Sequence, residues 1–221
     1  MKNFTGWLII VAIVVFAGRI IFVTKTDTAL LLPANSRDLS LFKKYFEAEL
    51  QPWTKSFNNF NLSNFKIADT VAFENSSEQD FKKYSSFIAL YKPLLSYSTD
   101  SSQFIDIYSY QLNLVKRGQT YYASPDVDQT VYLCNPKTRY WNRIYFGTPG
   151  GWIDEATWIS KEKFILAGIT KSADGKSVPV VLVGDTGSQR METYQMRDTS
   201  CFQNAHGYTS PKLKRIPIDG L

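Results

Sequence analysis

Hydrophobic positions fall along this chain in three regimes. From Phe4 to Val23 apolar side chains are interrupted only by Thr5, Gly6, Gly18 and Arg19, and Trp7 to Ala17 contains no polar side chain. At 1.5 Å per residue such a run spans a hydrocarbon core about 30 Å thick. Three readings compete for it: a membrane anchor, a cleaved secretory signal with Lys2 as its basic start and Val15-Phe16-Ala17 as the cleavage site, or a buried core helix. A globular helix would show a polar face, and Ile20 to Val23 continue the run past the cleavage site, so the anchor is preferred. Lys2 ahead of the run is the start of an N-in signal anchor, although Arg19 and Lys25 at its far end balance the charge count. The bulk of the chain is therefore expected outside the cytoplasm, periplasmic or extracellular, and secreted if the segment is cleaved.

The second regime has helical spacing. Leu39, Leu41, Phe42, Tyr45, Phe46 and Leu50 form a stripe opposite Lys43, Lys44, Glu47 and Glu49, which predicts a helix over Ser36 to Leu50 ended by Gln51-Pro52. Trp53 to Asn64 has no clear period, Ile67 to Phe73 reads as extended, and Ser77 to Leu90 reads as a second helix capped by Ser76-Ser77-Glu78. From Tyr91 onward the third regime consists of short β-rich runs between Pro93 and Met196, separated by turn sequences such as Asn135-Pro136-Lys137 and Asp185-Thr186-Gly187-Ser188. The expected fold class is α+β. Residues 1–24 form a transmembrane anchor or signal peptide, 25–90 a helical linker region, and 91–221 a β-rich domain of antiparallel meander sheets with an irregular C-terminal tail.

Laid side by side, the strands repeat. Leu95 to Ile107 matches Ala156 to Ile169, and Val131 to Thr138 matches Val181 to Ser188, so each unit reads as two hairpins in series. This pattern, an aromatic-Ser-x-Asp turn before Phe-Ile and then a Val-x-Leu hairpin, resembles the blades of WD40-like and TolB-type β-propellers. Where those blades carry a Ser-Pro-Asp-Gly turn, this chain has Ser98-Thr99-Asp100-Ser101 and Ser160-Lys161-Glu162. Two blades do not close a ring of four to eight. The resemblance implies two four-stranded blade-like units packed on each other or on the N-terminal helices, and no particular activity.

Composition narrows the chemistry. A single His and two Cys exclude a metal site built on several histidines within one copy, and Cys134, Cys201 and His206 match no compact finger spacing, so no metal is expected. Cys134 and Cys201 are a candidate disulfide on the extracytoplasmic side, with two buried free thiols as the equal alternative. After the apolar run the charge is only 23 basic against 20 acidic residues, which gives no footprint for nucleic acid. The Gly147-Thr148-Pro149-Gly150-Gly151 loop lacks the Gly-Lys-Ser/Thr of a phosphate loop, and no cofactor is expected.

Asp185-Thr186-Gly187-Ser188 resembles the active-site turn of aspartic proteases, but that chemistry needs two facing carboxylates and only one such turn occurs; it reads as a hairpin loop with Gly left-handed. His206 has no Gly-x-Ser-x-Gly partner, and the acidic pairs Asp126/Asp128 and Asp154/Glu155 read as solvated turn carboxylates. No catalytic residue is assigned. The aromatic excess, 15 Phe, 13 Tyr and 5 Trp, becomes informative between Tyr140 and Trp158. There Trp141, Arg143 and Tyr145 share one strand face and, with Trp152, form the candidate binding residues; cross-strand packing is the competing use of the same rings. The function expected is that of a membrane-anchored envelope protein. Its partners are the membrane, through Phe4 to Val23, and a protein or envelope component. The alternatives are a hydrolase using Asp126, Asp154, Asp185 or His206, and a structural subunit of a membrane assembly.

Overall fold

The structure, a computed structural model, describes residues 38–73, 76–78, 84–147, 149–196 and 200–219. The apolar run Phe4 to Val23 lies outside the described residues, and no helix among those described is long and apolar enough to cross a membrane. In chain order the strands are β1 (Phe65–Ala72), β2 (Ser76–Glu78), β3 (Ser96–Tyr97), β4 (Phe104–Asp106), β5 (Val115–Arg117), β6 (Thr120–Tyr122) and β7 (Gln129–Asn135). They continue as β8 (Tyr140–Gly147), β9 (Trp152–Trp158), β10 (Lys163–Lys171), β11 (Ser177–Asp185), β12 (Arg190–Met196) and β13 (Ile218–Asp219). Two five-stranded sheets have the orders β2-β8-β7-β4-β3 and β1-β12-β11-β10-β9, and β13-β6-β5 is a third, small sheet. Within the two large sheets every pairing is antiparallel.

The inner strands β10 and β11 of the downstream sheet are buried on both faces. Along β10, Phe164 and Leu166 join one apolar cluster while Ile165 and Ala167 join the other; along β11, Val180 and Leu182 alternate in the same way with Val181 and Val183. Such two-sided burial is what turns the alternating pattern of a half-exposed strand into a continuous apolar run. The first cluster joins this sheet to Phe104, Ile105, Val131, Leu133 and Trp141 of the upstream sheet. The second joins its other face to Leu39, Phe46, Leu50, Trp53 and Phe57 of the N-terminal segment.

These observations correct the expected α+β class. The described chain is mainly antiparallel β in three sheets, and the segment read as a helical linker supplies the fifth strand of each large sheet, β1 and β2. The long amphipathic helix is cut short because the backbone breaks at Ala48 (φ −111°, ψ −95°) after Lys43–Glu47. Pro52 does not stop a helix but opens the next turn, Gln51–Thr54, where its missing N–H is one that would have had no partner. Ser76–Glu78, read as a helix cap, pairs as a strand with Trp141 to Arg143.

The two meanders share their turns as well as their order. Asn135 Oδ1 accepts from Lys137 N (2.9 Å) and Thr138 N (3.3 Å), and Asp185 Oδ1 accepts from Gly187 N (2.9 Å) and Ser188 N (3.2 Å). Each turn closes on a left-handed residue, Arg139 (φ 57°) and Gln189 (φ 53°), so the left-handed position is not the glycine expected. Where β10 and β11 are joined by a tight turn, the upstream unit carries residues 107–128 between β4 and β7; these form β5, β6 and the short helix Ser109–Leu112.

Strand β9 is an outer strand of its sheet, and side chains satisfy its open edge. Fully buried Gln129 of β7 donates from Nε2 to Ile153 O (2.8 Å) and Ile107 O (3.1 Å) and accepts from Ile153 N (2.7 Å). Tyr108 Oη donates to Asp154 O (3.1 Å) and Ser96 Oγ to Ala156 O (2.7 Å), while Trp158 Nε1 returns a bond to Ser96 O (2.8 Å). The two sheets are thereby joined by polar bonds beneath an apolar interface.

Candidate functional site

Strand β9 carries a bulge. Ala167 faces Glu155 and Gly168 faces Ile153, which leaves Asp154 as the extra residue. Gly168 permits it, since a Cβ there would stand 1.9 Å from Trp152 O. Simple alternation would send Asp154 and Glu155 to opposite faces. Instead Asp154 Oδ2 accepts from Trp53 Nε1 (3.2 Å), and Glu155 is held by the C-terminal segment: Tyr208 Oη donates to its Oε1 (2.8 Å) and Lys212 Nζ lies 3.9 Å from its Oε2. Lys212 also donates to Ala156 O (3.3 Å). Between β9, the helix Ser109–Leu112 and the segment 203–213 lies a cavity of about 540 Å³, lined by Tyr108, Trp152, Asp154, Gln203, Tyr208 and Ser210 among others.

Burial pushes the Asp154 carboxyl up to about 7; the Glu155 charge adds to the rise, and the Trp53 bond opposes it. Burial, reinforced by Glu155, also raises the Tyr208 phenol, and burial lowers the Lys212 ammonium against the pull of Glu155. The consequence for stability has a definite sign. Between the carboxylate's ordinary value of 3.8 and about 7 the folded chain holds a proton that the unfolded chain has released. Stability is therefore gained as pH falls through 7 and lost as it rises. Asp154→Asn is expected to remove this term: the stability difference between wild type and D154N, from urea unfolding, should change by about 1 kcal/mol between pH 6 and pH 8 in favour of the wild type at pH 6.

The residues singled out from sequence are distributed as follows. Trp152 lines the cavity. Trp141 is buried in the first cluster, its ring 4.6 Å from Phe87 and 5.3 Å from Tyr132. Arg143 and Tyr145 are half-buried on the same strand, with the Arg143 guanidinium 5.6 Å from the Phe146 ring centre. Tyr145 does not share a face with Trp141 and Arg143, because a register shift at Ile144 interrupts the alternation of β8 between Arg143 and Tyr145. Cys134 and Cys201 form no disulfide with each other; both thiols are buried, one in each apolar cluster.

Of the residues proposed for hydrolysis, only Asp154 lines this cavity. Asp126 accepts from Val127 N (2.6 Å) in its own exposed loop, and Asp185 serves its hairpin turn and pairs with Lys163 (3.6 Å) beside a different cavity. His206 is exposed. Asp154 and Glu155, expected to be turn carboxylates, are instead strand residues of β9. No group of three or more potential metal ligands occurs among the described residues.

No family model, no curated protein and no solved structure matches this chain. The site therefore rests on its own geometry. Sequence reading missed Gly168, Gln129, Tyr208 and Lys212. One signal was available: two adjacent acids inside an otherwise apolar β run, opposite a glycine in the next strand, are the composition of a bulge.

Proposed function

We propose that this chain is a membrane-tethered binding module working outside the cytoplasm, held by Phe4 to Val23 and receiving its ligand in the cavity beside Trp152. The cavity carries this reading. It combines aromatic walls from Trp152, Tyr108 and Tyr208 with hydrogen-bonding groups at Gln203 and Ser210, the lining expected where a small ligand is fixed by a few polar contacts. A binder is favoured over a hydrolase because, of Asp126, Asp154, Asp185 and His206, only Asp154 lines the cavity. The tether rests on the length and apolarity of the N-terminal run.

Two measurements on the full chain test the reading. Protease added to intact cells is expected to digest the β domain, and deleting residues 4–23 to release it from the membrane fraction. A domain protected until lysis would refute the extracytoplasmic placement. Native mass spectrometry of the detergent-extracted chain is expected to show a small-molecule adduct that Trp152→Ala loses; a wild-type chain that carries no adduct would refute the cavity as a ligand seat.

A further inference from the structure

The two acids at the bulge differ in what neutralises them. Glu155 has the Tyr208 hydroxyl at 2.8 Å and Lys212 at 3.9 Å. Among the described residues, Asp154 receives one neutral donor, Trp53 Nε1, and no Lys or Arg lines its cavity. The cavity therefore holds a carboxyl without a cation of its own, among the rings of Tyr108, Trp152 and Tyr208. Aromatic faces attract cations through their quadrupoles, and a carboxylate nearby supplies the opposite charge. Resting on the reading of this cavity as a ligand seat, we propose that its ligand is an organic cation, a substituted ammonium group that sits against Asp154 within the aromatic walls. The volume of about 540 Å³ leaves room for substituents beyond the ammonium, which Gln203 and Ser210 can hydrogen-bond.

The titration of Asp154 gives the proposal a second handle. The groups facing Asp154 are Glu155 on its own strand, Trp53 from the N-terminal segment, Tyr108 from the insertion and Tyr208 from the C-terminal segment; Lys212 is engaged with Glu155. An arriving cation favours the ionised carboxyl. Binding of a permanently charged ligand should thus strengthen as pH rises through 7, because the proton on Asp154 competes with it.

Choline and its uncharged carbon isostere 3,3-dimethylbutan-1-ol separate charge from shape. Isothermal titration of the full chain, in a maltoside detergent that carries no ammonium group, is expected to show choline binding at least about tenfold more tightly than the alcohol at pH 8. Choline affinity should fall about tenfold from pH 8 to pH 6, the loss expected for a carboxyl near 7. Asp154→Asn, which keeps an oxygen for Trp53 Nε1, should abolish both the preference and the pH dependence, and Trp152→Leu should weaken choline at both pH values. Equal binding of the two probes, a pH-independent choline affinity, or no choline binding overturns the proposal. If the alcohol binds as well as choline while the adduct persists in native mass spectra, the cation is wrong and the ligand seat stands. If the adduct is missing as well, both fall.

Discussion

Gly168→Ala is expected to lower the thermal midpoint of the β domain by about 10 °C, a loss of about 3 kcal/mol. A methyl group at this position would lie 1.9 Å from Trp152 O and 2.8 Å from Ile153 Cα, and both obstacles are backbone, so no side-chain rotation relieves them. Strand β9 must withdraw from β10 or the bulge must be expelled. Either response costs more than an ordinary small-to-large exchange, because β10 is buried on both faces and has no solvent side to yield toward. Gly151→Ala is the control, since its added carbon meets Ile169 O at 3.4 Å, an ordinary contact, on the neighbouring stretch. Thermal unfolding followed by circular dichroism decides the matter: equal midpoints for G168A and G151A would mean that the close approach at Gly168 does not hold the bulge. The same experiment bears on the cavity, because the bulge places Asp154 there.

Much of the downstream sheet was legible in the chain. The apolar runs of β10 and β11 and the turn at Asp185 to Ser188 are local signals, and a strand buried on both faces writes itself as an uninterrupted apolar stretch. The match of the Asn135 and Asp185 turns was legible too, because a side chain that accepts from the backbone two residues on leaves a fixed sequence mark. What could not be read is long-range pairing. Ser76–Glu78 carries a helix-cap composition, and only its register against β8 makes it a strand. The small sheet pairs Ile218 with Tyr121 across most of a hundred residues with strands of two and three residues, too short for a period. The misplacement of Tyr145 has a different cause. Period two along β8 fails at Ile144, where the strand shifts register, so Tyr145 leaves the face that Trp141 and Arg143 share. Asp154 and Glu155 read as turn carboxylates because acids are rarely buried, and the bulge that takes them into a strand is marked only by Gly168 in the neighbouring strand.

Gln129→Leu is expected to cost about 4 kcal/mol, although it keeps nearly the same volume and adds apolar surface to a buried site. Gln129 acts as a surrogate strand. Its amide meets both the N–H and the C=O of Ile153 at the open edge of β9 and also reaches Ile107 O. Leucine leaves three buried backbone groups without these bonds, each worth about 1–3 kcal/mol when stranded. The residue is 0% exposed, so water does not replace the amide without opening the junction between the sheets. Gln129→Glu discriminates polar pairing from packing. An ionised carboxylate can still accept from Ile153 N but offers no donor to the two carbonyls, and it buries a charge as well. Protonation restores one donor, so Q129E should recover part of its lost stability on acidification from pH 7 to pH 5, whereas Q129L should show no such recovery relative to wild type. Urea unfolding at the two pH values tests this directly. A Q129L variant as stable as wild type would mean that the sheets are held by their apolar interface alone. A Q129E variant with no recovery in acid would mean that the amide donors at Ile107 and Ile153 contribute nothing to the junction.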